Sequence, residues 1–231
     1  MSGRIKWLLC ATVALMGVCA YGDTLQDIIT NVSNNVDATM DMTATADYDF
    51  GIWTSYDIWN IPSFNDMDNA TTKLSLGRKF RIEGTGGDVR TAISNGTTNW
   101  LDTNGDGTFV QKSCTSYELK GGAIGWLPNI KQILANNTWT LAPAEETVNG
   151  VLCRKIYCAD FNVWVDTATL TKVMKIEDSS TDYTVCSGYT YVSNKAYVPS
   201  TMTHYRGGTY VNITYSSVTI DQTLPAATWA P

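Results

Sequence analysis

The period of the hydrophobic positions changes early in the chain and separates its first two elements. Leu25, Ile28, Ile29, Val32 and Val36 recur at helical spacing behind a TLQD capping box that begins at Thr24, so the pattern predicts one amphipathic helix over residues 24–36. Over residues 38–50 the period drops to two. Met40, Met42, Ala44, Ala46, Tyr48 and Phe50 alternate there with Thr39, Asp41, Thr43, Thr45, Asp47 and Asp49. Strict alternation predicts a long strand with one buried and one wet face. Gly51 then turns the chain into IWTSYDIWNI, and residues 73–84 and 89–94 read as further strands between Gly-rich turns.

A second helix is predicted in mid-chain by LPNIKQILANN, with Pro128 near its first turn, Leu127, Ile130, Ile133 and Leu134 on one face, and Asn136-Asn137 as its stop. Residues 150–159, 162–166, 172–177, 183–192, 197–205 and 209–221 are rich in Tyr, Val, Ile and Thr and read as strands. The expectation is a mainly β chain: one strongly curved antiparallel sheet of about ten strands, a half-open barrel, capped by the two helices. Periodicity shows which residues face inward. It does not decide between a filled core and an apolar cleft holding an elongated ligand, and both readings stand at this point.

The first 22 residues change the picture of location. Arg4 and Lys6 precede an apolar stretch over residues 7–18 and then Ala20-Tyr21-Gly22, the form of a secretory signal cleaved after Ala20 or Gly22. The expected mature unit is residues 23–231, one domain, exported to the periplasm and monomeric. Cys19 raises a lipid-anchor alternative, which bulky Val18 disfavours. Removing two positive residues takes the net charge from −6 to −8, and no basic residue lies between Trp7 and Thr72, so a nucleic-acid partner is excluded. Cys114, Cys153, Cys158 and Cys186 remain, and an oxidising compartment makes two disulfides the default, with three connectivities open. A continuous strand over residues 153–158 would hold its two cysteines roughly 16 Å apart and on opposite faces, which weakens that pair. No CxxC occurs and the sole histidine, His204, has no nearby cysteine, so no zinc site or other cofactor is expected.

DTNGDGTFVQKS, residues 102–113, carries half of a calcium loop. Asp102, Asn104 and Asp106 stand at positions 1, 3 and 5 and Gly107 at position 6, but Ser113 replaces the bidentate Glu at position 12. Strand-like flanks favour a tight turn between antiparallel strands, with weak calcium binding as the lesser reading. Catalysis has little to work with. There is no GxSxG or HExxH, and Glu145-Glu146 lie between Pro143 and Gly150 in what reads as a loop.

The order of parts resembles the LolA-like family of periplasmic lipoprotein carriers. Arg81-Ile82-Glu83 before AISNGTTNW, the long segment NGVLCRKIYCADFNVWVDTATLTKVMKIE, and the ending VTIDQTLPAATWAP, with Ile220-Asp221, Leu224-Pro225 and Trp229, are similar to that family's strands. The resemblance implies a half-open barrel with helices as a lid over an apolar cavity for acyl chains of lipids or lipoproteins, and a non-catalytic role. Its candidate cavity positions here are Met40, Met42, Tyr48, Phe50, Ile52, Trp53, Ile58 and Trp59 on the first strands and Ile130, Ile133 and Leu134 on the mid-chain helix. In the lipoprotein carrier a buried arginine on an early strand is tied to opening, yet residues 38–61 contain no Arg or Lys, so no such role transfers. Arg78 and Arg81 read as solvent-facing charges, and Asp166 as the opening of a turn. The alternative function is a non-catalytic interaction or stress-sensing module of the same fold, with a packed core and an envelope protein partner.

Overall fold

A computed structural model of the chain describes residues 23–39, 41–49, 67–75, 79–84, 91–102, 104–113, 126–220 and 223–231. The first element is α1 (Leu25–Thr39), opened by the capping box. The Thr24 amide donates to Asp27 Oδ2 at 2.9 Å and the Asp27 amide to Thr24 Oγ1 at 3.1 Å, satisfying donors that a helix start leaves without intrahelical partners. Bonds from Thr24 hold the Asp27 carboxyl below its ordinary pKa. The helix runs three residues past its predicted end, and its last turn is closed by Thr39 Oγ1 donating to the Val36 carbonyl at 2.7 Å.

Strands follow in the order β1 (Met42–Asp49), β2 (Met67–Ser75), β3 (Lys79–Glu83), β4 (Thr91–Asn95), β5 (Thr98–Asp102) and β6 (Val110–Ser113). The second helix, α2 (Trp126–Asn136), intervenes before β7 (Thr140–Val148), β8 (Val151–Tyr157), β9 (Asn162–Asp166), β10 (Val173–Ser179) and β11 (Asp182–Ser187). The chain ends with β12 (Thr190–Val192), β13 (Ala196–Val198), β14 (Thr201–Arg206), β15 (Thr209–Ile220) and a 3-10 turn, Ala226–Trp229. Among the described residues, thirteen strands form one antiparallel sheet in the order β6-β5-β4-β3-β2-β1-β15-β14-β11-β10-β9-β8-β7, while β12 and β13 pair separately. The sheet is curved and does not close into a barrel. Register shifts in β1, β7 and β10 mark where bulges add local twist and bend the ladder.

The count exceeds the expected ten for identifiable reasons. The run predicted over residues 73–84 is two strands, β2 and β3, and the runs over 183–192 and 197–205 are each broken, at Gly188 and at Pro199-Ser200. Gly188 has φ +63, and a side chain there would meet Ser200 Oγ at 2.0 Å, so the break requires glycine. The segment around Glu145-Glu146, read as a loop, is the edge strand β7. Its Pro143 lies where the β7–β8 register slips, a position an edge strand tolerates because the missing N–H faces no partner.

Three acidic side chains build turns. Asp102 Oδ1 accepts the amides of Asn104 and Gly105 at 3.1 and 2.8 Å, Oδ2 accepts that of Gly107 at 2.8 Å, and Asp106 Oδ1 accepts that of Thr108 at 2.8 Å. The segment therefore joins two antiparallel strands, β5 and β6, as a hairpin connection. Among the described residues no three His, Cys, Asp or Glu side chains converge as a metal site. Asp166 does the same work after β9: 2 % exposed, it accepts the amides of Thr169, Thr171 and Lys172 at 2.9–3.2 Å.

Arg81 departs from its expected place in solvent. Its side chain is 21 % exposed, its Nε donates to Glu83 at 2.7 Å, and its Nη1 donates to the carbonyls of Thr228 and Ala230 at 3.3 and 3.0 Å. The guanidinium thus holds the C-terminal tail against β3, with Trp229 buried. Arg78 lies outside the described residues.

Candidate functional site

The sheet has two unlike faces, and the alternation of β1 defines them. Met42, Ala44, Ala46 and Tyr48 are buried and share one apolar core with Ile28, Val32 and Val36 of α1 and Ile130, Ile133 and Leu134 of α2. That is the inner face, covered by both helices. The opposite, outer face carries Lys155 and Lys175, each 4.7 Å from the Trp164 ring, and Tyr183, which stacks on Tyr205 at 4.8 Å. Long charged side chains over aromatic rings finish this face against water.

The helices are fixed over the inner face by polar contacts at their rims. Lys131 of α2 donates to both carboxylate oxygens of Asp37 on α1 at 2.6 and 2.7 Å. Asn35 of α1 engages the backbone of Tyr197 in β13 twice, accepting its amide at 2.8 Å and donating to its carbonyl at 2.9 Å. The side-chain amide thereby imitates one more residue of strand on the β12–β13 hairpin. At the end of α2, Asn137 Nδ2 and Trp139 Nε1 donate to the carbonyls of Ile133 and Leu134 at 2.8 and 2.9 Å, which satisfies acceptors the helix leaves free.

Of the candidate cavity positions, Met42, Tyr48, Ile130, Ile133 and Leu134 are brought together in the one core. Met40, Phe50, Ile52, Trp53, Ile58 and Trp59 fall outside the described residues. The buried inner-face positions of the sheet include small side chains, Ala44 and Ala46 on β1, Ala70 on β2 and Ala92 on β4, beside bulky Met42, Tyr48, Leu74, Phe80 and Ile82. Alternating apolar positions predict an inward face, and the fold shows small and bulky side chains sharing it, with Ala46 opposite Tyr215 and Ala92 between Ile82 and Leu101.

Polar groups in this interior are paired. Tyr48 shares a 2.7 Å hydrogen bond with Thr72, and burial pushes its hydroxyl above the ordinary range. His204, 3 % exposed on β14, has Nδ1 3.0 Å from Thr184 Oγ1 and Nε2 3.5 Å from Asp182 Oδ1. Burial first, and the nearby Arg206 charge second, lower its pKa to about 3, so the ring is neutral in ordinary buffers. The sequence singled out His204 only as a missing zinc ligand.

The cysteines do not follow the expected two disulfides. Cys153, Cys158 and Cys186 are free thiols, and Cys114 lies outside the described residues. Cys153 packs on the outer face with Trp164 and Met174, whereas Cys158 and Cys186 belong to the inner core. Odd spacing along β8 has the effect expected of it, and three interstrand steps from β8 to β11 put Cys153 and Cys186 about 14 Å apart. Burial pushes the Cys153 thiol up to about 11.

No family model and no curated protein sequence matches the chain. Solved structures do. A DUF1329 family protein from Desulfovibrio piger is 15 % identical, with 88 % of this chain and 95 % of that one covered at a TM-score of 0.59. A LolA superfamily protein from Nitrosomonas europaea is 10 % identical, with 90 % and 98 % covered at 0.58. A putative outer membrane lipoprotein-sorting protein domain from Vibrio parahaemolyticus is 15 % identical, with 85 % and 92 % covered at 0.55. The chain therefore has a LolA-like fold, as its sequence motifs implied.

Proposed function

We propose that this protein is an exported carrier that holds lipid, or the acyl chains of a lipoprotein, between the inner face of the sheet and helices α1 and α2. The observation that carries the reading is the arrangement of that interior. Two amphipathic helices lie over one face of an open sheet, their apolar stripes join its apolar row in a single core, and small side chains, Ala44, Ala46, Ala70 and Ala92, are interspersed among the bulky ones of that face. An interior of this kind, bounded by elements that are not hydrogen-bonded into the sheet, admits an elongated apolar guest when the helices lift. The likeness to a domain described as lipoprotein-sorting agrees with it, and so does the signal-like start of the sequence.

Delivery of lipoproteins to an outer membrane is the narrower form of the proposal, with residues 23–231 as the mature carrier. The test is native mass spectrometry of the chain exported into a bacterial periplasm, before and after delipidation. A heterogeneous added mass of lipid size, removed by delipidation, is the expected result. A bare protein overturns the carrier reading in favour of an interaction module with a filled core, and a small increment lost on chelation would assign calcium to Asp102, Asn104 and Asp106 instead.

A further inference from the structure

Along the inner side of β8 the exposure falls in one direction. Leu152 is 48 % exposed, the side chain of Arg154 is 17 % exposed, and Ile156 is fully buried within the core shared with the helices. The boundary between solvent and the apolar interior therefore crosses β8 at Arg154. Across the strands Arg154 is paired on one side with Val165 of β9, also fully buried, and on the other with Glu145 of the edge strand β7. A permanent cation thus stands where the interior opens, one strand from the end of the sheet.

Its own partners leave it underused. Nη1 is 3.8 Å from Glu145 Oε1, beyond hydrogen-bond range, on a carboxylate whose side chain is 40 % exposed. Nε is buried and has no hydrogen-bond partner. Several other half-buried cations have a second contact besides a carboxylate: Arg81 on the tail carbonyls, Lys172 over the Tyr197 ring, and Lys155 and Lys175 over the Trp164 ring. A buried guanidinium donor without an acceptor is costly, and the planar fork of Nε and Nη is the geometry that grips a phosphate or carboxylate with two bonds.

We propose that Arg154 anchors the anionic head of the cargo, so that the ligand is an amphiphile with its chains on the inner face and a phosphate or carboxylate oxygen at the guanidinium. This rests on the carrier reading and names its ligand class. Phosphatidylglycerol, diacylglycerol with the same chains and inorganic phosphate are titrated separately into the delipidated full chain, in wild type, Arg154→Met and Glu145→Gln. Arg154→Met keeps the apolar stem while deleting the charge.

The wild type is expected to hold phosphatidylglycerol about tenfold more tightly than diacylglycerol. Arg154→Met brings the two lipids level by weakening the first and leaving the second unchanged. Glu145→Gln, which removes the competing carboxylate without touching Arg154, tightens phosphatidylglycerol about threefold. Equal wild-type affinities, or a preference that survives Arg154→Met, overturn the headgroup role while leaving the carrier standing. Arg154-dependent binding of inorganic phosphate without lipid binding assigns the site to a free anion and overturns it as well. If neither lipid binds the wild type, both readings fall together.

Discussion

His204 shows how a single buried side chain sets the response of the whole protein to acid. The ring has an ordinary pKa of 6.5 and one of about 3 in its native place. Below pH 6.5 the unfolded chain binds a proton that the folded state refuses, so the stability present above that pH is lost as pH falls towards 3, at about 1.4 kcal/mol per unit. Between pH 7 and pH 5 this one site is expected to cost about 2 kcal/mol. In His204→Gln, whose amide can still serve Thr184 and Asp182, urea denaturation at the two pH values is expected to lose less by that amount. The sequence told the parity of this position, since Met202, His204 and Arg206 alternate with Thr203 and Tyr205. What it withheld was the partner strand. Thr184 stands opposite His204 by register, and only that pairing shows a satisfied buried imidazole. Arg81 was misread for the same reason: its acceptors, the Thr228 and Ala230 carbonyls, lie nearly 150 residues away along the chain.

Among the elements, those specified by neighbouring residues were the most legible. The TLQD box and the Asn136-Asn137 stop placed both helices to within a few residues, because capping is decided inside one turn. The β12–β13 hairpin was hidden inside two longer strand-like runs. Its turn residues Ser193 and Asn194 both have positive φ, near +53 and +54, which suits the tight turn that the Lys195 amide closes by donating to the Val192 carbonyl at 3.0 Å. The hairpin then meets Asn35, and the two bonds of that contact tie α1 to the β12–β13 hairpin. Replacing Asn35 with Ala is expected to lower global stability by about 1–2 kcal/mol. A sharper readout is hydrogen exchange, in which the amide of Tyr197 and those of α1 should speed up together while β4 and β9 do not change. Exchange that rises uniformly across the sheet would show Asn35 to be ordinary surface packing. The inner row of β1 was read correctly from alternation alone, down to Met42 and Tyr48, whereas the strand β7 was missed because Pro143 and two glutamates carry the composition of a loop.

The molecule as a whole follows from how its two halves are wound. From β1 the chain meanders outward to the edge strand β6, passes through α2, re-enters at the opposite edge β7, and meanders back until β15 lies beside β1. In a flat sheet the two edges would stand about 58 Å apart, so curvature shortens what the connection containing α2 must span. The sequence predicted the curved sheet and its two helices. It said nothing of strand order, since nothing in the composition of β15 names β1 as its neighbour.

That winding also governs when the protein can become folded. Every neighbouring pair within each half is local, but the seam joins Met42 to Ile220, residues roughly 180 apart, and closing a loop of that length carries an entropic cost of about 4–5 kcal/mol before any contact offsets it. Folding should therefore be slow and dominated by one late event, with β1 waiting for the last long strand to arrive. A chain cut after Arg206, which has lost β15, should leave β1 and β14 as two raw edges and associate rather than refold on dilution from urea, as light scattering would register. For the exported carrier proposed above, threaded through a membrane in an extended form, such a seam would act as a timer: the architecture could not lock until almost all of the chain had crossed.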